Sequence, residues 1–524
     1  MVLLVAAAEE PYHFDELKQV SIYALPMADV LEASSLLEQP PLDVILNSLA
    51  QKTLLGVGDV RQRFLSVVFG IGSLILIALL SVRAKFTSAG TVMAMGVMAL
   101  TPLAIGLTAY ARPYALPLFL SLGFLWLSDV WIRDGRGWSF ALLVVVALLL
   151  PWTRLVEPAI LLVSMAVVAL VFLVRRENPT RSVALLSVSA VGIAGSIVVT
   201  LMLSEELSDR TAFGTDFLDR IGRIFTDVPP TIPMVFPYWS ILVGLVLVGL
   251  FYRPTRTLLK PLWWWWVLVA TSLGFVAAFF VATPASQPFA ARYMFTLIPT
   301  IAVLTGAVVS GVLASNAHWV LRYTSVGLAL VAVLWGAAGT WHELTTHSRA
   351  DWKAASRVLM EDLPEGTMII YDEVRGIRQS KRAYMGNLRY TDDRLIPLTL
   401  QIIEDPSLVD PGSNTAIVLY TRDEVEAPGW ITLRVDDFVT VYVPTSPRVG
   451  LEGAAGAAEE LADALGPQLG AALNLTAASL WERAGEEART AELVSEVLAD
   501  ESLRDLTEGW IRDSSLEEYA EAGD

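Results

Sequence analysis

Two kinds of side chain that can do chemistry stand close to the ends of apolar segments: carboxylates in the first polar stretch, and arginines in short turns. Residues 9–64 open with Glu9-Glu10, His13 and Asp15-Glu16, pass through Gln39-Pro40-Pro41-Leu42, and close with Asp59, Arg61 and Arg63. Asp15 follows the apolar run Met1–Ala8 by seven residues, close to where a membrane surface would lie. A carboxylate at that height reaches both an acceptor hydroxyl from solution and a headgroup at the interface. That is the position of a general base deprotonating an alcohol beside a lipid-linked donor. A solvated acidic loop is the plain alternative, and composition alone favours it.

The arginines offer the complementary charge. Tyr110-Ala111-Arg112-Pro113-Tyr114 is a tight connection between two apolar segments, and an arginine held there is costly unless it meets an anion. A guanidinium can grip phosphate oxygens with paired hydrogen bonds. Arg292-Tyr293 at the start of a later segment, and Arg154 with Glu157 in a third turn, can join the same site. Snorkelling to the headgroups is the competing reading for each of these arginines.

These residues must be positioned by helices that cross a bilayer. The chain has 524 residues, 54% of them apolar and 17% charged, with a mean hydropathy of +0.54, and a soluble protein of this size cannot hide that much apolar surface. The apolar residues also fall in blocks near the length of about 20 residues that a spanning helix requires. Spans are expected at 65–82, 88–109, 114–130, 138–150, 158–174, 182–204, 233–251, 262–282, 293–313 and 323–341. Trp263–Trp266 opens one of them, where indoles favour the headgroup region. There is no cysteine, which excludes disulfides, thiolate metal sites and a Cys nucleophile. The four histidines, His13, His318, His342 and His347, are too dispersed to suggest a multi-His metal centre.

One set of connections (83–87, 131–137, 175–181, 252–261, 314–322) carries 11 Lys/Arg in 38 residues, and the other carries 10 in 105. The denser set is therefore expected in the cytoplasm, which puts residues 9–64, 205–232 and everything after 341 outside. Met1–Ala8 is too short to span, and an even number of spans would leave residues 9–64 without a helix to carry them across. A truncated first helix is therefore expected, so that residues 1–64 comprise its remnant and the first outer loop. After the bundle of 65–341, Asp351–Asp362 reads as an amphipathic helix, and Met368–Tyr371, Ala416–Tyr420, Ile431–Val435 and Val439–Val443 as strands of a small α/β domain over 342–446. Residues 447–524 hold 18 Asp/Glu against 5 Arg, reading as an acidic helical tail, partly disordered. Such a balance argues against nucleic acid as a partner. Asn474-Leu475-Thr476 matches a glycosylation acceptor, a triplet common by chance.

The order of these motifs resembles the polytopic glycosyltransferases of the GT-C class, especially the family-39 branch with its protein O-mannosyltransferase, aminoarabinose-transferase-like and Rgt-like enzymes. The matching residues are Asp15-Glu16, Pro40-Pro41-Leu42, Arg63-Phe64-Leu65-Ser66, Ala111-Arg112-Pro113-Tyr114-Ala115-Leu116, Arg292-Tyr293 and Asp351-Trp352-Lys353-Ala354-Ala355. They cover roughly residues 9–445; the tail beyond 450 has no counterpart in that class.

The resemblance implies a GT-C-like bundle of about 10–11 transmembrane helices in the plasma membrane. It also implies an inverting transferase that uses a polyprenyl-phosphate-linked sugar and an acceptor that is a protein, lipid or glycan. Carried onto this chain, Asp15 is the base, and Glu16 its companion or a ligand to a divalent cation (Mg or Mn). Arg112, Tyr114, Arg292 and Arg154 then bind the donor. One departure stands out, because many relatives carry Glu before the Ala-Arg pair where this chain has Tyr110. Glu9, Glu10 or Glu157 are the candidates to replace it. The departure and the acidic tail suit an alternative, a non-catalytic scaffold or partner subunit with the same fold. A transporter would require charges at mid-membrane and paired inverted repeats, and the sequence has neither.

Overall fold

In the computed structural model the described residues are 40–55, 59–100, 113–154, 156–202, 239–282, 297–315, 318–345, 367–371, 415–420, 427–434, 439–465 and 467–499, with isolated positions that include Tyr23. They fall in two compact units divided near residue 346.

The first unit is helical because its apolar runs must satisfy their own backbone polar groups once they leave water. The helices are α1 (Leu42–Ala50), α2 (Asp59–Arg83), α3 (Ser88–Leu100), α4 (Ala115–Asp134), α5 (Gly137–Leu149), α6 (Val156–Val174), α7 (Pro179–Met202), α8 (Trp239–Phe251), α9 (Arg253–Leu259), α10 (Trp263–Ala282), α11 (Leu297–Ala314) and α12 (Trp319–Thr345). Every one of the expected spans has its helix. Among the described residues six are long and apolar enough to cross a membrane: α2, α4, α6, α7, α11 and α12. A seventh span is formed if α8 and the α9–α10 segment, bent by 106° at the extended Tyr252 between them, are counted together; α3 and α5 are shorter apolar helices.

Burial separates two classes of apolar surface. On α2, Phe64, Val68, Ile71, Ile75, Leu79 and Val82 are exposed at helical spacing, a continuous stripe suited to lipid, while Ile77 and Leu80 face the core. The centre of the unit is α11, whose Leu297, Ile298, Ala302, Val303, Ala307 and Val308 are all buried. Where α3 crosses α11, a Cβ on Gly90 would lie 2.5 Å from the Gly306 carbonyl oxygen, so only glycine allows this backbone approach. The Thr87 amide donates to Ser310 Oγ at 3.0 Å beside that crossing. Small residues rather than interlocking leucines therefore bring these two helices together.

The second unit contains a four-stranded sheet in the order β1-β2-β4-β3, from β1 (Met368–Tyr371), β2 (Thr415–Tyr420), β3 (Trp430–Arg434) and β4 (Val439–Pro444). β1 runs parallel to β2, and the other two pairings are antiparallel, with Ile417 and Thr432 both facing Tyr442 in register. α13 (Gly450–Ala464), α14 (Pro467–Ala484) and α15 (Glu487–Ala499) follow. Ile417, Leu419 and Tyr442 of the sheet share one core with Ala454, Leu461, Leu473 and Val494 of the helices, so packing runs continuously across residue 447. Asn474 lies inside α14 with Thr476 buried, which removes the acceptor triplet from any exposed loop. Asp351–Asp362 and Met1–Ala8 lie outside the described residues.

Candidate functional site

At the end of the bundle where α4 and α6 begin, charged side chains from separate parts of the chain meet below the surface. α6 follows the tight Leu150–Trp152 turn, whose Pro151 cannot continue α5; Thr153 Oγ1 caps that turn by donating to the Leu150 carbonyl at 2.7 Å. The turn puts Arg154 just before α6 and Glu157 in its first turn. Arg154 Nε donates to Glu157 Oε2 at 3.0 Å, and its guanidinium carbon lies 4.3 Å from the centre of the Tyr114 ring at the start of α4. The Glu157 side chain is fully buried, whereas that of Arg154 is 19% exposed. Burial opposes the charge on Arg154, but Glu157 and Tyr114 more than offset it and raise the guanidinium pKa.

A second carboxylate acts on the same arginine. Asp43 is on α1, directly after Pro40-Pro41-Leu42, and only 2% exposed. Tyr23 Oη donates to Asp43 Oδ2 at 3.4 Å and Asn47 Nδ2 to the same oxygen at 3.2 Å. Asn47 Nδ2 also donates to the Asp43 carbonyl, and Ser48 Oγ to the Tyr23 carbonyl, which ties α1 to Tyr23. Burial pushes the Asp43 carboxyl up to about 7, against the opposing pull of its Tyr23 and Asn47 hydrogen bonds and of the Arg154 charge. The group is therefore poised to hold or release a proton near neutrality, the range a general acid or base needs.

The arrangement is one cation paired with the buried Glu157 and stacked on a phenol ring, with a second buried carboxyl, Asp43, close enough to feel its charge. Glu157 Oε1 has no hydrogen-bond partner among the described residues, so one acceptor in this cluster is open. Chemically the group can exchange Glu157 for another anion at Arg154, accept from a hydroxyl at Glu157, and move a proton at Asp43. Among the described residues no three His, Asp or Glu side chains come together as metal ligands, and the guanidinium beside Glu157 suits an anion better than a cation.

Of the residues singled out by sequence, Arg154 and Tyr114 are brought together, and Arg63 is fully buried near the start of α2. Asp15, Glu16, Tyr110, Arg112 and Arg292 lie outside the described residues. Asp43 is the addition from structure. Its trace in the sequence is no more than an Asp following Pro40-Pro41-Leu42 with Asn four residues on, a pair that shares one helix face.

No protein-family model matches the chain, and no curated protein matches it. Among solved structures, ArnT from Cupriavidus metallidurans in the apo state superposes with a TM-score of 0.52 at 12% identity, covering 84% of this chain and 95% of that one. ArnT from the same organism bound to Undecaprenyl phosphate matches over the same shares at 14% identity, with a TM-score of 0.49. The chain thus has the ArnT-like GT-C fold and is an integral, multi-pass membrane protein.

Proposed function

We propose that this protein is a membrane glycosyltransferase that moves a sugar from a polyprenyl-phosphate-linked donor to an acceptor hydroxyl on the extracytoplasmic face. The observation that carries this reading is Arg154, stacked on Tyr114, paired with Glu157 and still partly exposed within a GT-C-like bundle. The solved ArnT holds undecaprenyl phosphate; for this chain the donor class rests on its own arginines, Arg112, Arg154 and Arg292, as ligands for a lipid phosphate. The end of the bundle bearing Arg154 is opposite the end dense in Lys/Arg, which supports an outward-facing site.

In this scheme Asp15 takes the acceptor proton as the acceptor oxygen attacks the anomeric carbon. The bond from that carbon to the phosphate oxygen breaks, its electron pair stays on the polyprenyl phosphate, and the arginines stabilise the charge that gathers there. Glu16 orients Asp15 or contributes to a divalent-cation site. Arg154 exchanges its hold on Glu157 for the phosphate, and Asp43 tunes that exchange through its own proton.

The test is transfer from a polyprenyl-phosphate sugar by purified protein. Asp15→Asn and Arg112→Ala are each expected to abolish turnover with expression unchanged; wild-type rates in both would sink the enzyme reading. Tyr110, standing where relatives carry Glu, favours a second reading, a non-catalytic partner subunit with this fold. That reading predicts no turnover by the wild type and co-purification with an active transferase.

A further inference from the structure

At the other end of the bundle, a cavity of about 290 Å³ opens between α4, α6, α7 and the start of α10. Its lining is ordered by depth. At the rim stand Arg133, Glu177 and Asn178; further in are the rings of Phe172 and Trp263. Ser128 precedes Arg133 by five residues on α4, which at 1.5 Å per residue places it about 7 Å deeper. Met165 precedes Phe172 by seven residues on α6, about 10 Å deeper by the same rise, and Val168 lies between them. Charge, aromatic ring, hydroxyl and aliphatic wall thus follow one another from the surface inward.

Three groups in this cavity are uncommitted. Ser128 is buried, and its hydroxyl has no hydrogen-bond partner among the described residues. Arg133 Nε pairs with Asp129 Oδ1 at 2.7 Å, its charge also acts on Asp134, and its terminal nitrogens make no hydrogen bond among the described residues. The Glu177 carboxylate is likewise unpaired among them, its backbone carbonyl alone accepting from Ser182. Asp129 is already neutralised, with one oxygen on Arg133 and the other on Arg83 Nε at 2.5 Å. Among the residues that line the cavity this leaves the Arg133 guanidinium and the Glu177 carboxylate; Arg175, 5.4 Å from the Trp263 ring, and Arg181, which donates to the Ile132 and Arg133 carbonyls, stand beside the same rim.

We propose that this cavity binds a zwitterionic glycerophospholipid bearing a primary ammonium. Its phosphate meets the terminal nitrogens of Arg133, and its ammonium meets Glu177. An ester carbonyl accepts from Ser128, and the first methylenes lie on Met165 and Val168. An anionic headgroup matches less well, because it leaves the Glu177 carboxylate without the cation that an ammonium supplies. The ligand would brace α4 and α6, whose far ends carry Tyr114, Arg154 and Glu157. The site does not depend on the chemistry proposed at that far end.

The experiment uses the full chain, purified and stripped of lipid in detergent. Thermal unfolding and native mass spectrometry are followed with dioleoyl phosphatidylethanolamine, dioleoyl phosphatidylglycerol, or soluble phosphoethanolamine. Phosphatidylethanolamine is expected to stay bound and raise the unfolding temperature, with weaker binding of phosphatidylglycerol and none of phosphoethanolamine. Ser128→Leu fills the cavity and Arg133→Gln removes the phosphate ligand; each is expected to weaken phosphatidylethanolamine binding about tenfold, the effect of losing one good hydrogen bond to a charge or one shape fit. If Ser128→Leu does not fold, Arg133→Gln, at a partly exposed rim position, decides alone. Unchanged binding in the folded variants, equal binding of phosphatidylglycerol, or equal protection by phosphoethanolamine would each overturn the proposal.

Discussion

The two ends of the helical bundle use charge in opposite ways. At one end Arg83 bridges Asp129 and Asp134, Arg133 shares Asp129, and Arg136 reaches Asp134, with all but Asp129 substantially exposed. These pairs stay close to headgroups and water, where ion pairs contribute little and hold helix ends in register. At the other end Arg154 pairs with Glu157 and acts at longer range on Asp43, both acids being out of water. Asp43 is held there by Tyr23 and Asn47 rather than by a cation of its own, and one acceptor oxygen of Glu157 is left open. An arrangement made only for stability would satisfy every buried acceptor; this one keeps a cation that can be given up and a proton that can move.

The comparison is broken most severely at Arg154. Arg154→Ala leaves Glu157 buried without its cation, a loss of roughly 3–5 kcal/mol for a broken buried pair. Thermal unfolding in detergent is expected to show that loss, and transfer activity to disappear with it. Glu157→Gln separates the two roles of Arg154. If the arginine serves a phosphate, freeing it from Glu157 strengthens polyprenyl phosphate binding, read by titration of the lipid phosphate. If it serves only packing, the affinity stays as it was or falls.

The next effect is one of pH. The Asp43 carboxyl has an ordinary value of 3.8 and is pushed by burial to about 7, so between those values the folded chain holds a proton that the unfolded chain releases. The stability this proton contributes is fully present below about pH 4, falls as pH rises, and is gone above about pH 7. The unfolding temperature should therefore drop between pH 5 and pH 7.5 in the wild type. Asp43→Asn keeps an uncharged group of the same shape and should flatten that segment of the profile. A slope that survives the substitution would assign the proton elsewhere.

Sequence reveals these two ends unequally. The spans are legible because an apolar run of bilayer length has few other fates, and the exposed stripe on α2 follows from its spacing. The arginine-rich end is equally legible, since the loop count alone finds Arg83, Arg133, Arg136, Arg175, Arg176 and Arg181. Asp43 is a different case. In the sequence it is one acid of a polar loop, and nothing in its spacing reveals that α1 folds with Asp43, Asn47 and Ser48 buried, together with Val44 and Ala50. The contact of Tyr114 with Arg154 joins residues forty apart, and only the superposition of two helix starts creates it. The crossing of α3 on α11 depends on Gly90 and Gly306, 216 positions apart, and no local pattern couples them.

The smallest effect is expected at the exposed end and makes the contrast quantitative. Arg83→Ala removes the ion pairs of Arg83 with Asp129 and Asp134, but Asp129 keeps Arg133 at 2.7 Å and Asp134 keeps Arg136. Because neither acid is left alone and Arg83 is itself a quarter exposed, the loss should be about 1 kcal/mol or less and should shrink further as salt is raised. Transfer activity should be unaffected, since Arg83 closes α2 at the end away from Tyr114 and Arg154. The informative quantity is the ratio of the two alanine substitutions at fixed ionic strength. If Arg83→Ala costs as much as Arg154→Ala, both ends are structural ion-pair networks, and the open acceptor beside Arg154 has no functional meaning. If the cost at Arg154 is several times greater and insensitive to salt, its charge is desolvated, as a site for a lipid phosphate requires.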